Sequence, residues 1–468
     1  MASAALAICA GAALRAWMFT QFFEASGDSL VYGQIAKNLL LHGRYALTLG
    51  SGEIHPTLIR LPGYPWFLAA CFHLFGMENY AAAAWVQIVL DLVGCLLLAD
   101  VARRIAPSAA RCVAAQGTLW LAALCPFTAV YAATPLTEAP TLFVIALALW
   151  TAVCFQDRPG WVPALGFTFA ITYAALLRPD GALVAVALAP ALVVHVMRKG
   201  QAQPAAIPLR RALRIATVCA LLALAPFAAW TWRNWCVFHV IQPLAPRYAN
   251  DPGEDAHTGW IRWVRTWCLD FISTYNVYWA VPGEQLDASD LPSRAFDDSA
   301  QYAQTVALVD DYNNNGYLLT PQIEVGFSRL AQQRVAAHPL RYYVWLPLAR
   351  VADMWLRPRV ENLPIDPDWW VYSHHHEETR ISWACIVLNA LYLLLALVGL
   401  CMRPRLWAWM LAYILLRSAL LLTVEAPEAR YTLECFPMLF VLGGIALYRF
   451  TNWVSLLVLR VNALRGSD

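Results

Sequence analysis

The sequence predicts an all-α polytopic membrane protein, a bundle of about ten transmembrane helices with surface helices in its outer loops. Three observations predict it. Of 468 residues, 60% are hydrophobic and 14% charged, whereas soluble domains carry about 25% charged residues. Mean hydropathy is +0.50. Apolar stretches long enough to cross a bilayer, about 20 residues, recur along the chain, and the alternating pattern of barrel strands is absent. These features exclude an ordinary soluble domain and a disordered or collagen-like chain. A net charge of +2 gives no footprint for nucleic acid, so none is expected as a partner.

The expected spans are Ala4–Gln21, Tyr80–Val101, Cys112–Val130, Ala139–Phe155, Trp161–Leu177, Gly181–Met197, Ile215–Trp232, Ile381–Met402, Leu406–Val424 and Thr432–Tyr448. The stretch from Met1 to Phe23 lacks a basic start, and Arg15 interrupts it, so a span is expected rather than a cleaved leader. Twelve cysteines form no CxxC pair and read as small hydrophobes.

Arginine placement orients the bundle. Arg103, Arg104 and Arg111, then Arg158, then Arg198, Lys199, Arg210, Arg211 and Arg214, then Arg403 and Arg405 fall on one side. The positive-inside rule makes that side cytoplasmic. Three modules follow: an N-terminal transmembrane module (1–232) with its first outer loop at 24–79, a large outer segment with interfacial helices (233–380), and a C-terminal transmembrane module (381–468). Leu61–Phe75 is short and reads as interfacial. His338–Leu356 is amphipathic and reads as lying on the membrane surface; if it spanned instead, the sidedness after it would invert.

Few ionisable residues lie deep within the spans, Arg15, Asp91 and Arg417, and they are dense in the outer loops. A transport path places them within the spans, so the distribution points to chemistry at the outer surface. Asp28 follows the first span, where it could also cap a surface helix carrying Ile35, Leu39 and Leu40. Then come Arg60-Leu61-Pro62-Gly63-Tyr64-Pro65, Glu138 before the fourth span, Arg178-Pro179-Asp180-Gly181, Arg233 after the seventh, and Glu428-Ala429-Arg430-Tyr431.

In this order, the residues resemble the membrane-embedded glycosyltransferases of the GT-C superfamily, in its bacterial branch related to protein O-mannosyltransferases and lipid A aminoarabinose transferase. The resemblance runs from Ala4 to Tyr448. It is most specific in the first loop, at Asp28, Tyr32, Ala36, Asn38, Gly43 and Arg60–Pro65. It implies a GT-C-like bundle in the bacterial cytoplasmic membrane, with two surface helices in the first loop and an outward-facing active site. It also implies a polyprenyl-phosphate sugar donor and a lipid, glycan or protein acceptor, the enzyme being a hexosyl- or pentosyltransferase. Asp28 matches the catalytic loop acid, which would take a proton from the acceptor. Arg60 matches a basic position near the donor phosphate, which arginine suits through its planar fork of donors. Arg430 and Arg233 match less defined phosphate positions. Tyr32, Glu53 and Tyr64 are acceptor or loop candidates.

Plainer readings stand beside these. Glu138 and Asp180 are acids at helix starts, favoured there by the helix dipole, and Arg178 can pair locally with Asp180. Asp91 can bond to a neighbouring span. Glu53 reads as a solvated loop acid. Trp260, Trp263, Trp267, Trp279, Trp369 and Trp370 suit an acceptor groove or a membrane-surface anchor. No cofactor is required, although some relatives bind a divalent cation. The run His374-His375-His376-Glu377-Glu378 is the place to look for one, but consecutive histidines point in different directions, and a solvated loop is the plain reading. Asp287-Ala288-Ser289-Asp290 has the wrong spacing for a metal-nucleotide DxD motif, in keeping with a lipid-phosphate donor. A lipid-linked-glycan flippase or other multi-pass transporter is the rival, and a non-catalytic assembly partner the third reading.

Overall fold

The computed structural model describes residues 2–199, 208–371 and 374–449. Among them helix predominates, and the one sheet is a two-stranded hairpin. Seven helices are long and apolar enough to cross a membrane: Ala2–Phe22, Tyr80–Ile105, Glu138–Asp157, Pro179–Met197, Leu209–Phe238, His376–Cys401 and Ala429–Arg449. Trp161–Leu177 and Trp407–Leu421 are shorter apolar helices. The expected span Cys112–Val130 is not continuous. It is a pair, Ser108–Ala123 and Pro126–Ala133, bent by 51°.

The chain forms two compact units, Met1–Gly253 with Leu391–Leu416 and Leu433–Asp468, and Glu254–Ala390 with Arg417–Thr432. The C-terminal segment is thus divided between them rather than forming a module of its own.

In the first unit the order is α1 (Ala2–Phe22), α2 (Asp28–His42), β1 (Ala46–Thr48), β2 (Ile54–Pro56), α3 (Gly63–Phe75), α4 (Tyr80–Ile105), α5 (Arg111–Ala123), α6 (Pro126–Ala133), α7 (Glu138–Asp157), α8 (Trp161–Leu177), α9 (Ala182–Lys199) and α10 (Leu209–Phe238). The expected surface helices of the first loop are α2 and α3. At about 1.5 Å per residue, each falls well short of the hydrocarbon thickness. Gly43 ends α2 at φ +64°, where a side chain would be strained. The antiparallel hairpin between them, with Leu47 opposite His55, is bound to α2. Asn38 Nδ2 donates to Ala46 O at 2.9 Å, and Gln34 Nε2 to Thr48 O at 3.1 Å. Below them Ala36, Tyr64, Leu68, Phe72, Val144 and Leu177 form one buried cluster. Gly63 makes this packing possible, because a Cβ there would lie 2.6 Å from the backbone of Leu176.

Ion pairs gather residues expected on one side. Arg104 and Arg405 both reach Asp157, at 3.0 and 2.7 Å, and Arg103 pairs with Asp100 at 2.5 Å. The basic loops after the second, fourth and eighth spans therefore share one end of this unit.

Arg15 is paired inside the bundle, with Asp91 of α4. Its side chain is fully buried against the bend between α5 and α6. Pro126 has no N–H to give the carbonyl four residues back. Arg15 Nη1 donates to Ala123 O at 2.7 Å and Gly11 O at 3.0 Å, Nη2 to Ala122 O at 3.4 Å, and Nε to Asp91 Oδ2 at 2.6 Å. Asp91 thus bonds to a neighbouring span, as its plainer reading held.

In the second unit Trp260, Trp263 and Trp267 are core residues, no more than 2% exposed and packed with Phe327. They do not line a groove. Trp279 and Trp370 remain exposed. Residues 338–356 are not among the helices long and apolar enough to span. Their helix Leu346–Leu356 buries Leu346, Pro347, Arg350 and Met354, while Tyr343, Trp345 and Leu348 stay exposed.

Candidate active site

Asp28 is the first residue of α2. The cap position before it is Gly27, at φ +51°, and no side-chain cap bond forms there. Asp28 is thus one position inside the helix rather than at its cap. Arg60 Nη2 donates to Asp28 Oδ1 at 2.6 Å, with the two side chains 23% and 36% exposed. The pair is within reach of solvent and of a substrate, unlike the sealed Arg15–Asp91 pair. The Arg60 guanidinium lies 5.7 Å from the Tyr32 ring centroid. Its Nε is buried and has no hydrogen-bond partner among the described residues.

Burial opposes the Arg60 cation, but Asp28 and then Tyr32 outweigh it, so its pKa is raised. Burial pushes the Tyr32 phenol up to about 12, and Tyr32 also feels Arg60, Asp28, Arg178 and Glu138. Tyr32 therefore stays protonated near neutral pH, in the field of two arginine–carboxylate groups. Its ring meets Tyr64 edge-on with centroids 5.0 Å apart, and Tyr64 donates through its hydroxyl to Gln87 Oε1 at 2.7 Å.

The second charged group forms around Arg178, directly after α8. Arg178 Nη1 is 3.1 Å from Glu138 Oε1, and Nε is 3.4 Å from Asp180 Oδ1 and 3.1 Å from Glu434 Oε1. Glu138, at the start of α7, is 3% exposed. The local Arg178–Asp180 pair is present, and the arginine serves two further acids. Sequence reasoning missed Glu434. The signal was there: a carboxylate two residues into an expected span is costly unless paired. Gln87, inside the second expected span, was missed in the same way.

Glu53 is exposed beside the hairpin, 3.3 Å from His55. Arg430 lies in the second unit, its Nε 2.5 Å from Glu428 Oε2. Arg233 on α10 spends its Nη atoms on main-chain carbonyls, Thr57 O at 2.8 Å and Tyr45 O at 2.7 Å. In this arrangement it shapes the loop that carries Arg60. Two further bonds hold that loop: the Tyr45 hydroxyl donates to Arg60 O at 3.1 Å, and Leu58 N donates to Asp251 Oδ1 at 2.7 Å. Beside it opens a cavity of about 500 Å³. Leu39, Tyr45, Trp66, Pro226 and Trp230 line it, with Arg44 and Arg233.

Chemically, the first loop offers a carboxylate able to take a proton. Next to it is a cation whose Nη2 is on Asp28, whose Nη1 reaches Ile59 O at 3.5 Å and whose Nε is unmet, and beside the loop is a largely apolar cavity. Residues 55–232 match the family model of dolichyl-phosphate-mannose-protein mannosyltransferase. No curated protein sequence matches the chain. Among solved structures it is similar to ArnT from Cupriavidus metallidurans bound to undecaprenyl phosphate, at 13% identity, covering 95% of this chain and 77% of that one, with a TM-score of 0.38. The apo state of the same protein gives 12%, 95%, 76% and 0.35. The matched stretch 55–232, less than half of the chain, holds Arg60, Glu138, Arg178 and Asp180.

Proposed function

We propose that the protein is a glycosyltransferase that moves a sugar from a polyprenyl-phosphate donor to a lipid, glycan or protein acceptor at the outer face of the bacterial cytoplasmic membrane. The observation that carries this reading is Arg60. It holds Asp28 through Nη2 and keeps a buried Nε without a partner among the described residues. Buried donors are almost always satisfied, and a phosphate oxygen is the acceptor that suits arginine best. The family description, a dolichyl-phosphate-mannose enzyme, agrees in donor class. The neighbouring apolar cavity suits an isoprenoid chain.

In the reaction, Asp28 accepts the acceptor's proton as the new glycosidic bond forms. The bond from the sugar's anomeric carbon to the phosphate oxygen breaks, and the bonding pair leaves with the lipid phosphate. Arg60 answers the charge that gathers on that oxygen. Glu138, Asp180 and Arg178 hold the starts of α7 and α9 and the end of α8 beside Tyr32, and Glu138 or Asp180 is the base should Asp28 not be. The test is transfer by purified, detergent-solubilised protein given a polyprenyl-phosphate sugar and envelope lipids or glycans. A flippase has no membrane to cross there and would leave the donor intact, which would overturn the proposal.

Two expectations follow from this reading. Arg60→Ala lowers turnover by about one to three orders of magnitude, as loss of other transition-state donors does, with the protein still monodisperse. Turnover equal to the parent's would remove Arg60 from the site. For sidedness, Ser51→Cys at the exposed hairpin tip should react with a membrane-impermeant maleimide from outside intact cells, above the background of the native cysteines. Labelling only in inverted vesicles would invert the assignment made from the arginines.

A further inference from the structure

The second unit carries a group of side chains that the proposed transfer does not use. Asp366, His375 and Glu378 each present one ligand atom, and these atoms all lie within 4.8 Å of one another. His375 Nδ1 is 3.2 Å from Glu378 Oε1. Two donors bound to one tetrahedral Zn²⁺ at about 2.0–2.2 Å stand about 3.3–3.5 Å apart, so this pair already has nearly the right separation. Glu378 has a second indication. Its Oε2 is buried and finds no hydrogen-bond partner among the described residues.

The local structure explains the convergence. Asp366 lies in a turn closed by Trp369 N to Asp366 O at 3.0 Å. His375 precedes the helix His376–Cys401, and Glu378 sits in its first turn. The (i, i+3) spacing puts His375 and Glu378 on one side of that start. The histidine run therefore contributes one member, His375, while the other two ligands are carboxylates.

We propose that Asp366, His375 and Glu378 bind one divalent transition cation, Zn²⁺ being the best fit, with water completing the coordination. One imidazole and two carboxylates suit zinc better than Mg²⁺ or Ca²⁺, which prefer all-oxygen sets. The cation ties the turn at 366–369 to the start of the helix. It is structural and takes no part in sugar transfer.

The experiment uses the full-length protein in detergent, with any affinity tag removed, stripped by chelator and desalted. Zn²⁺ bound per chain is measured by metal analysis and by competition with a chromophoric chelator. The parent should bind one Zn²⁺ and melt at a higher temperature with it. Glu378→Gln and His375→Ala should each weaken binding at least about 100-fold, at or beyond the upper end of what losing a group that only supports a ligand costs. The double variant His374→Ala/His376→Ala should bind as the parent does. Glu378→Gln is isosteric and keeps the helix start, so its monodispersity by size-exclusion separates lost binding from lost folding. No Zn²⁺ on the parent at micromolar concentration would overturn the proposal. So would unchanged binding in Glu378→Gln, or loss of binding only in the His374/His376 double variant.

Discussion

Asp28→Asn folds, still binds a polyprenyl-phosphate lipid, and loses about 10²–10⁴ of its sugar-transfer rate, the span covered by general-base catalysis. The substitution isolates the proton. Asparagine is nearly isosteric and its Oδ1 can still accept from Arg60 Nη2, the bond that the aspartate makes at 2.6 Å. Asn at this first position of α2, one past the Gly27 cap, can also accept any bond that the carboxylate takes from the helix start. A loss of activity in a monodisperse Asp28→Asn protein therefore reports chemistry rather than helix stability. Activity within a few-fold of the parent would pass the role to Glu138 or Asp180, and the same substitution at each would then find the base.

The other large effect is on stability. Arg15→Met should lower stability by about 3–5 kcal/mol, the usual cost of leaving one member of a buried ion pair without its partner. Three main-chain carbonyls, Gly11 O, Ala122 O and Ala123 O, lose a donor together with Asp91. The readout is the melting temperature of the detergent-solubilised protein, followed by monodispersity. The double variant Arg15→Met/Asp91→Leu should recover much of the loss, because the uncompensated charge is then gone. A double variant as unstable as the single one would mean that the carbonyls at the bend, not Asp91, need Arg15 most.

Much of the fold was legible because a bilayer imposes a simple rule. A segment that crosses it needs length and apolarity, and seven of the ten expected segments fall on helices that have both. The exceptions have local causes. The third span breaks because Pro126 removes an N–H within an otherwise apolar run, and the arginine that repairs the break comes from more than a hundred positions earlier. The hairpin Ala46–Pro56 was invisible because three-residue strands carry too little alternation to register. Within the site, Asp28 and Arg60 were legible as types and in order, and their direct pairing was not. Arg178 was legible as a partner for Asp180, which sits two residues on. Its reach to Glu138 and Glu434, 40 and 256 positions away, depends on how α7, α8 and the last span pack. The tryptophans misled because one composition serves a groove, an anchor and a core alike. Only burial separates these uses, and Trp260, Trp263 and Trp267 are buried.

The bonds that hold the first loop limit how it can be exchanged. Its backbone at Tyr45, Thr57 and Leu58 is fixed by Arg233 and Asp251, which lie 188, 176 and 193 positions further along the chain. Residues 24–79 are therefore not a portable cassette. A loop transplanted from a relative would arrive without the distant anchors that set its curvature, and Arg60 would lose its aim at Asp28. Any inheritance or design that alters the acceptor by changing this loop has to change the end of α10 and the stretch to Asp251 with it, so these regions must vary as one unit.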